Sequence, residues 1–201
     1  MPQRSDVLAP VASVSRTQRE VRNGHRGAAI LLTGLPAAGK STLAQALHAE
    51  LFGRGLQSVV LDGDGLRTGL NRDLRFTDAD RQENIRRASE LAALLVENGQ
   101  IVILAMIAPL VELREVFAQR LGEDYRDVWC SASLAVCEQR DPKGHYARAR
   151  RGDLAGFTGV SAPYEPPTQA SLVLDTGAQT VEACLDRLLT WLGECAVLPR
   201  T

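Results

Sequence analysis

Apolar positions along this chain fall into two alternating patterns. Short continuous runs at Ala28-Ala29-Ile30-Leu31-Leu32, Ser58-Val59-Val60-Leu61 and Gln100-Ile101-Val102-Ile103-Leu104-Ala105-Met106 predict buried strands, and two more are expected around Asp127 to Cys130 and at Ser171-Leu172-Val173-Leu174. Helical spacing fills the intervals. It is seen at Leu43, Ala46, Leu47 and Leu51, then in a helix with Ile85, Ala88, Leu91, Leu94 and Leu95 on one face and Asn98-Gly99 as its C-cap. Further helices are expected over Leu110 to Leu121, Leu134 to Gln139 and Thr180 to Leu192. Strands alternating with helices predict an α/β fold, a doubly wound parallel sheet with helices on both faces. The folded domain is expected over residues 28–195, with no internal repeat and no second domain. Residues 1–27 carry neither period, and Arg4, Arg16, Arg19, Arg22 and Arg26 face only Asp6 and Glu20 there. A disordered tail is the expectation, with an organelle transit peptide or a partner-binding arm as alternatives.

Length and composition narrow the class. A chain of 201 residues with 45% apolar content can build one substantial core. Twenty-three basic residues against twenty-four acidic ones give a net charge of −1, which argues against general nucleic-acid binding and makes any basic patch local. The apolar run Ile101 to Val111 contains Pro109 and is too short to span a bilayer, and nothing N-terminal resembles a secretory segment. Cys130, Cys137, Cys184 and Cys195 show neither CxxC spacing nor metal-ligand pairing with the three histidines, so reduced, buried thiols and a cytoplasmic protein are expected.

The chemistry centres on Gly34-Leu35-Pro36-Ala37-Ala38-Gly39-Lys40-Ser41-Thr42, between the first strand and the first amphipathic helix. Glycines there let successive N–H groups approach phosphate oxygens, and the helix start adds free donors and the positive end of its dipole. Lys40 can reach the β- and γ-phosphates and the Ser41 hydroxyl can ligate Mg²⁺, so a nucleoside triphosphate site is expected. Asp62-Gly63-Asp64 ends the second strand, where open α/β sheets place their chemistry. Either carboxylate could hold a Mg²⁺-bound water or take a proton from an attacking hydroxyl; the plainer alternative is a solvated Asp-Gly turn. Between Arg140 and Glu165 the periodicity breaks, and Arg140, Lys143, Arg148, Arg150 and Arg151 cluster. This suits a basic lid over phosphates, with a solvated basic helix as the alternative.

These strings, together with Leu61-Asp-Gly-Asp, Gly69-Leu70-Asn71-Arg72-Asp73-Leu74, Asp80-Arg81-Gln82-Glu83-Asn84-Ile85-Arg86-Arg87, Cys137-Glu138-Gln139-Arg140-Asp141-Pro142-Lys143-Gly144 and Gly156-Phe157-Thr158-Gly159, resemble adenylylsulfate kinase from about Gly27 to Leu192. The resemblance implies a P-loop NTPase-type fold and ATP-dependent phosphoryl transfer to the ribose 3′-hydroxyl of adenosine 5′-phosphosulfate, with Mg²⁺ and a homodimer. It makes Lys40, Asp62 and Asp64 the catalytic candidates and Ser41 with Asp62 the metal site. Arg67, Arg81 and Asn84 resemble the residues that grip the phosphosulfate and ribose. Phe76 and Phe157 resemble the aromatic pair around the acceptor adenine, with Ile107 and Ala108 in the same pocket. Arg140 resembles the residue packed on the ATP base, and Lys143 and Arg148 belong to the lid.

The chain also departs from the family pattern. Met106-Ile107-Ala108-Pro109-Leu110 stands where the family reads Phe-Ile-Ser-Pro-Tyr, so Ala108 replaces the serine proposed to carry a phosphoserine and direct transfer is implied. Gly65, Arg75 and Ala155 also differ from the usual residues. They keep open a kinase acting on another nucleotide-like or small hydroxyl acceptor. From a different class, a catalytically weak nucleotide-binding partner of a sulfate-activating complex is disfavoured by intact Lys40, Ser41 and Asp62.

Overall fold

The computed structural model describes residues 13–199. Five strands, β1 (Ala28–Thr33), β2 (Ser58–Asp62), β3 (Ile101–Ala105), β4 (Tyr125–Cys130) and β5 (Leu172–Leu174), form one sheet in the order β2-β3-β1-β4-β5, with every pairing parallel. The helices are α1 (Arg16–Asn23), α2 (Lys40–Gly53), α3 (Gly63–Thr68), α4 (Asp78–Glu97), α5 (Val111–Leu121), α6 (Leu134–Arg140), α7 (His145–Arg150) and α8 (Val181–Glu194).

Strand alternation splits the core in two. Ile30, Leu32, Ile101, Ile103, Val128 and Leu174 pack against α2 and α8, whereas Ala29, Leu31, Val102 and Leu104 pack against α4 and α5. Both faces of β1 and β3 are therefore apolar and fully covered, which is why these strands read as unbroken hydrophobic runs. The expected doubly wound parallel sheet is the observed one.

Two expectations need correction. The apolar face expected for α4 is rotated: Ile85, Ala88, Ala92 and Val96 are buried, while Leu94 is 61% exposed. The helix carries more leucines than its stripe against β3 and α5 can cover, so spacing alone chose the wrong edge. The expected tail also contains structure. Residues 1–12 lie outside the described residues, but Ser15 and Gln18 form a capping box and α1 follows, closed by Gly24 in the left-handed region. Helix α1 has no buried residue and is held by polar contacts instead. Arg16 donates to both carboxylate oxygens of Asp124 at 2.6 Å, Glu20 accepts from the Gly27 N–H at 2.9 Å, and Asn23 donates to the Gly99 carbonyl. A helix with no apolar face leaves no periodicity to read. Beside it, His25 is buried and its Nε2 accepts from the Gln57 N–H, so Nδ1 carries the proton and donates to the Arg26 carbonyl.

Candidate active site

The loop from Gly34 to Gly39 joins β1 to α2 at the carboxyl edge of the sheet. Gly34 has φ 150°, and a Cβ there would stand 2.6 Å from the Cys130 carbonyl oxygen, so β4 and the loop can approach this closely only with glycine. Ala37 takes φ 62°, and Gly39 at φ 93° opens α2 with no side-chain cap. The first N–H groups of α2 are thus left for a ligand, the arrangement that favours a phosphate. Lys40 is 8% exposed and folds back into the loop, donating to the carbonyls of Gly34 at 3.0 Å and Leu35 at 2.7 Å. Burial lowers its pKa to about 8, against the raising effect of Asp62 and Asp64. Cys130, behind the loop, is pushed up to about 12 by burial and stays a neutral thiol.

Ser41 donates from Oγ to Asp62 Oδ2 at 2.6 Å, which joins the start of α2 to the end of β2. The other oxygen of Asp62 caps α3 by accepting from the Asp64 N–H at 2.9 Å. A hydroxyl and a carboxylate side by side are hard oxygen donors that suit Mg²⁺, which takes only one or two protein oxygens beside phosphates. No cluster of three or more His, Cys, Asp or Glu able to hold a metal occurs among the described residues, so a dedicated all-protein metal cage is not built there. Asp64 forms an ion pair with Lys143 from segment 140–165. The two carboxylates therefore have different surroundings.

The acceptor candidates gather around Phe76, which is 65% exposed. The Arg67 guanidinium lies over its ring at 4.5 Å and donates to the carbonyls of Leu74 and Arg75, shaping the loop before α4. Arg81 donates to the Phe76 carbonyl from Nε and to the Gly156 carbonyl from Nη2. Burial, and then the nearby charge of Arg81, lower the pKa of Arg67. Two guanidinium groups that repel across one exposed ring are a place where a phosphate or sulfate would be favoured. Asn84 is buried on α4, and its Oδ1 accepts from Asn71 Nδ2 at 2.9 Å. The rings of Phe76 and Phe157 do not touch among the described contacts; Arg81 instead joins the Phe76 carbonyl to that of Gly156, the residue before Phe157. Phe157 packs edge-on against Tyr146 at 4.9 Å. Ile107 and Ala108 follow β3, and Ala108 has φ 40°.

Segment 140–165 lies against the phosphate loop. Arg140 donates to the Thr176 carbonyl at 2.6 Å and to the Ala37 carbonyl at 3.4 Å. A Cβ on Gly159, at φ 89°, would sit 2.9 Å from Leu35. Arg148 is exposed on α7 and its side chain has no hydrogen-bond partner among the described residues. Arg150 and Arg151 pair with Glu138 and Asp153, so their charges are spent locally. Sequence reasoning missed Tyr146, which is buried and donates to the Pro36 carbonyl at 3.0 Å, fastening α7 to the loop. Its one signal was an apolar pair with Ala149, three residues on, inside a basic segment.

Comparison with known proteins gives the family of this chain. A model of the adenylylsulphate kinase family matches residues 26–175. The adenylyl-sulfate kinase of Bacillus licheniformis is 47% identical over 188 residues, covering 93% of this chain and 95% of that protein. That of Pseudomonas entomophila is 48% identical over 181 residues, covering 90% and 87%. The APS kinase of Mycobacterium tuberculosis, solved in complex with AMPPNP and APS, superposes with a TM-score of 0.80 at 39% identity, covering 84% of this chain and 98% of that one. On the family match, the extent of these identities and the shared fold, this chain belongs to the adenylyl-sulfate kinase family.

Proposed function

We propose that this chain is an ATP-dependent kinase that transfers the γ-phosphoryl group to the ribose 3′-hydroxyl of adenosine 5′-phosphosulfate, giving 3′-phosphoadenylylsulfate. The observation that carries the reading is the Ser41–Asp62 contact at 2.6 Å, which sets a phosphate loop against a carboxylate at the end of β2. Lys40 turns from the loop carbonyls to the β- and γ-phosphates, where the polyanion restores its full charge. Asp62 takes the proton of the acceptor hydroxyl as the oxygen attacks phosphorus. Arg67 and Arg81 hold the acceptor's phosphosulfate, Asn84 its ribose, and Phe76 and Phe157 its adenine, with Ile107 and Ala108 completing that pocket. Arg140 packs on the ATP base, and Lys143 and Arg148 add positive charge from the lid as water is excluded. Ser41 and Asp62 would hold Mg²⁺, which supplies further neutralisation of the phosphates when bound.

Ala108 has no hydroxyl, so we read the transfer as direct. An acceptor of another kind is not favoured by the family match. A homodimer is the state the resemblance implies, and sedimentation equilibrium tests it. No helix among the described residues is long and apolar enough to cross a membrane, which is compatible with a cytoplasmic enzyme. The deciding experiment is coupled ADP release with MgATP and adenosine 5′-phosphosulfate, run against AMP, ADP and no acceptor. Turnover confined to the phosphosulfate is expected, and equal turnover with AMP overturns the reading.

A further inference from the structure

Three successive carbonyls after β3 are each held by a donor from a different part of the fold. Thr33 Oγ1 donates to the Ile107 carbonyl at 2.6 Å, Arg114 Nη1 to the Ala108 carbonyl at 2.9 Å, and the Glu165 N–H to the Pro109 carbonyl at 2.8 Å. The N–H groups of Ile107 and Ala108 have no acceptor among the described residues. Ala108 is 2% exposed, so a free donor there calls for a partner supplied from outside the chain.

Ala108 is also strained. Its φ of 40° lies in the left-handed region, which a residue with a Cβ adopts only when its surroundings impose it. Arg114 is the neighbour placed to impose it. Its side chain is 7% exposed, and no carboxylate pairs with it among the described residues. The two tyrosines whose titration it influences offer no anion: burial pushes Tyr164 up to about 12 and raises Tyr125, and neither hydroxyl has a hydrogen-bond partner among the described residues. A buried guanidinium without a counter-ion is costly, and evolution towards stability alone would replace it with an apolar side chain. What it does here is hold one carbonyl, that of the residue with φ 40°.

We propose that Arg114 is a positioning residue for the nucleotide acceptor: it fixes the Ala108 carbonyl, and with it the positive-φ turn that presents the free N–H groups of Ile107 and Ala108 to that substrate. This rests on the reading that residues 107 and 108 line the acceptor pocket, and it assigns Arg114 no contact with ATP.

The test is a double-variant cycle on the full chain with Arg114→Met, Ala108→Gly and the pair together, with Arg114→Lys as the variant that keeps a buried cation if the methionine chain fails to fold. Steady-state KM and kcat for adenosine 5′-phosphosulfate, the Kd for a non-hydrolysable ATP analogue and the melting temperature are read for each. Arg114→Met is expected to raise acceptor KM at least tenfold, with kcat and the ATP-analogue Kd within threefold of the parent. Glycine adopts φ 40° without support, so adding Ala108→Gly is expected to recover at least fivefold of the lost KM. The lysine chain, with one donor group in place of the fork, is expected between parent and methionine, and to be improved by the same glycine. An unchanged acceptor KM, strictly additive effects, or an equal loss for ATP overturns the proposal. A parent enzyme inert toward the phosphosulfate overturns the functional reading and this proposal with it; an active parent with an unaltered Arg114→Met overturns this proposal alone.

Discussion

Arg81 donates from Nη2 to the carbonyl of Gly156 at 2.6 Å, so one guanidinium joins α4 to the segment that carries Phe157. The same group also holds the Phe76 carbonyl at 3.0 Å. A lysine has one ammonium in place of this fork and cannot make both bonds together with an anion contact. Arg81→Lys is therefore expected to raise acceptor KM roughly tenfold to a hundredfold, the cost of about 1.5–3 kcal/mol for a lost charged hydrogen bond, while the Kd for ATP changes less than threefold. Initial-rate kinetics with each substrate varied in turn distinguish the two effects, and equal losses for both substrates would remove Arg81 from the acceptor side.

Lys40 gives ATP binding a pH dependence with a definite sign. Burial holds its pKa near 8 in the free protein, below the ordinary lysine value, and triphosphate binding favours the charged form. Affinity for ATP is expected to be flat below pH 8 and to fall by up to about tenfold per pH unit above it, with proton uptake on binding. Calorimetry in buffers of different ionisation enthalpy at pH 8.5 measures that uptake. Stability of the free protein follows from the same group: its folded pKa is depressed, so the unfolded chain binds more protons between about pH 8 and 10.5, and this contribution to stability rises with pH across that window. Lys40→Met should abolish measurable turnover without lowering the melting temperature at pH 7, since it removes a buried charge from a loop that the apolar chain still fills.

Asp62 serves two neighbours through two oxygens. Asp62→Asn keeps a side chain able to cap α3 but removes the proposed base and the negative charge beside Ser41. Loss of kcat by about 10²–10⁴ is expected with a melting temperature close to the parent's. A variant that keeps more than a tenth of the activity would place the base elsewhere.

The Lys143–Asp64 pair is exposed, and Asp64 is the chief reason the Lys143 pKa is raised. Pairs of this kind contribute about 1 kcal/mol or less. Asp64→Asn should leave stability unchanged and release Lys143 for the nucleotide, tightening ATP binding by roughly twofold to fivefold at low salt. A large loss of turnover instead would give Asp64 a part in the chemistry.

Direct transfer has its own signature. Incubation with MgATP and no acceptor should leave the chain without covalent phosphate by intact-mass measurement, because Ala108 offers no hydroxyl. A phosphorylated chain with acceptor-dependent loss of the label would overturn direct transfer.

Much of this protein was legible in its residues. β1 and β3 are buried on both faces, so Ile30, Leu31, Ile103 and Leu104 had to be apolar wherever they pointed, and the alternation with helices then left a parallel sheet as the only economical arrangement. The loop from Gly34 to Thr42 was legible for a similar reason: its function depends on backbone shape, and glycine spacing records backbone shape directly. Polar contacts between distant segments leave no such record. Arg16 meets Asp124, Tyr146 meets Pro36 and Arg81 meets Gly156 because the sheet order brings them together, and in two of the three the acceptor is a backbone carbonyl that every residue carries. Residue type and spacing thus determined the core and the phosphate loop, which follow local and periodic rules; tertiary structure alone decided which cations are spent on neighbours and which are left facing the cleft, because that depends on distances between elements far apart in the chain.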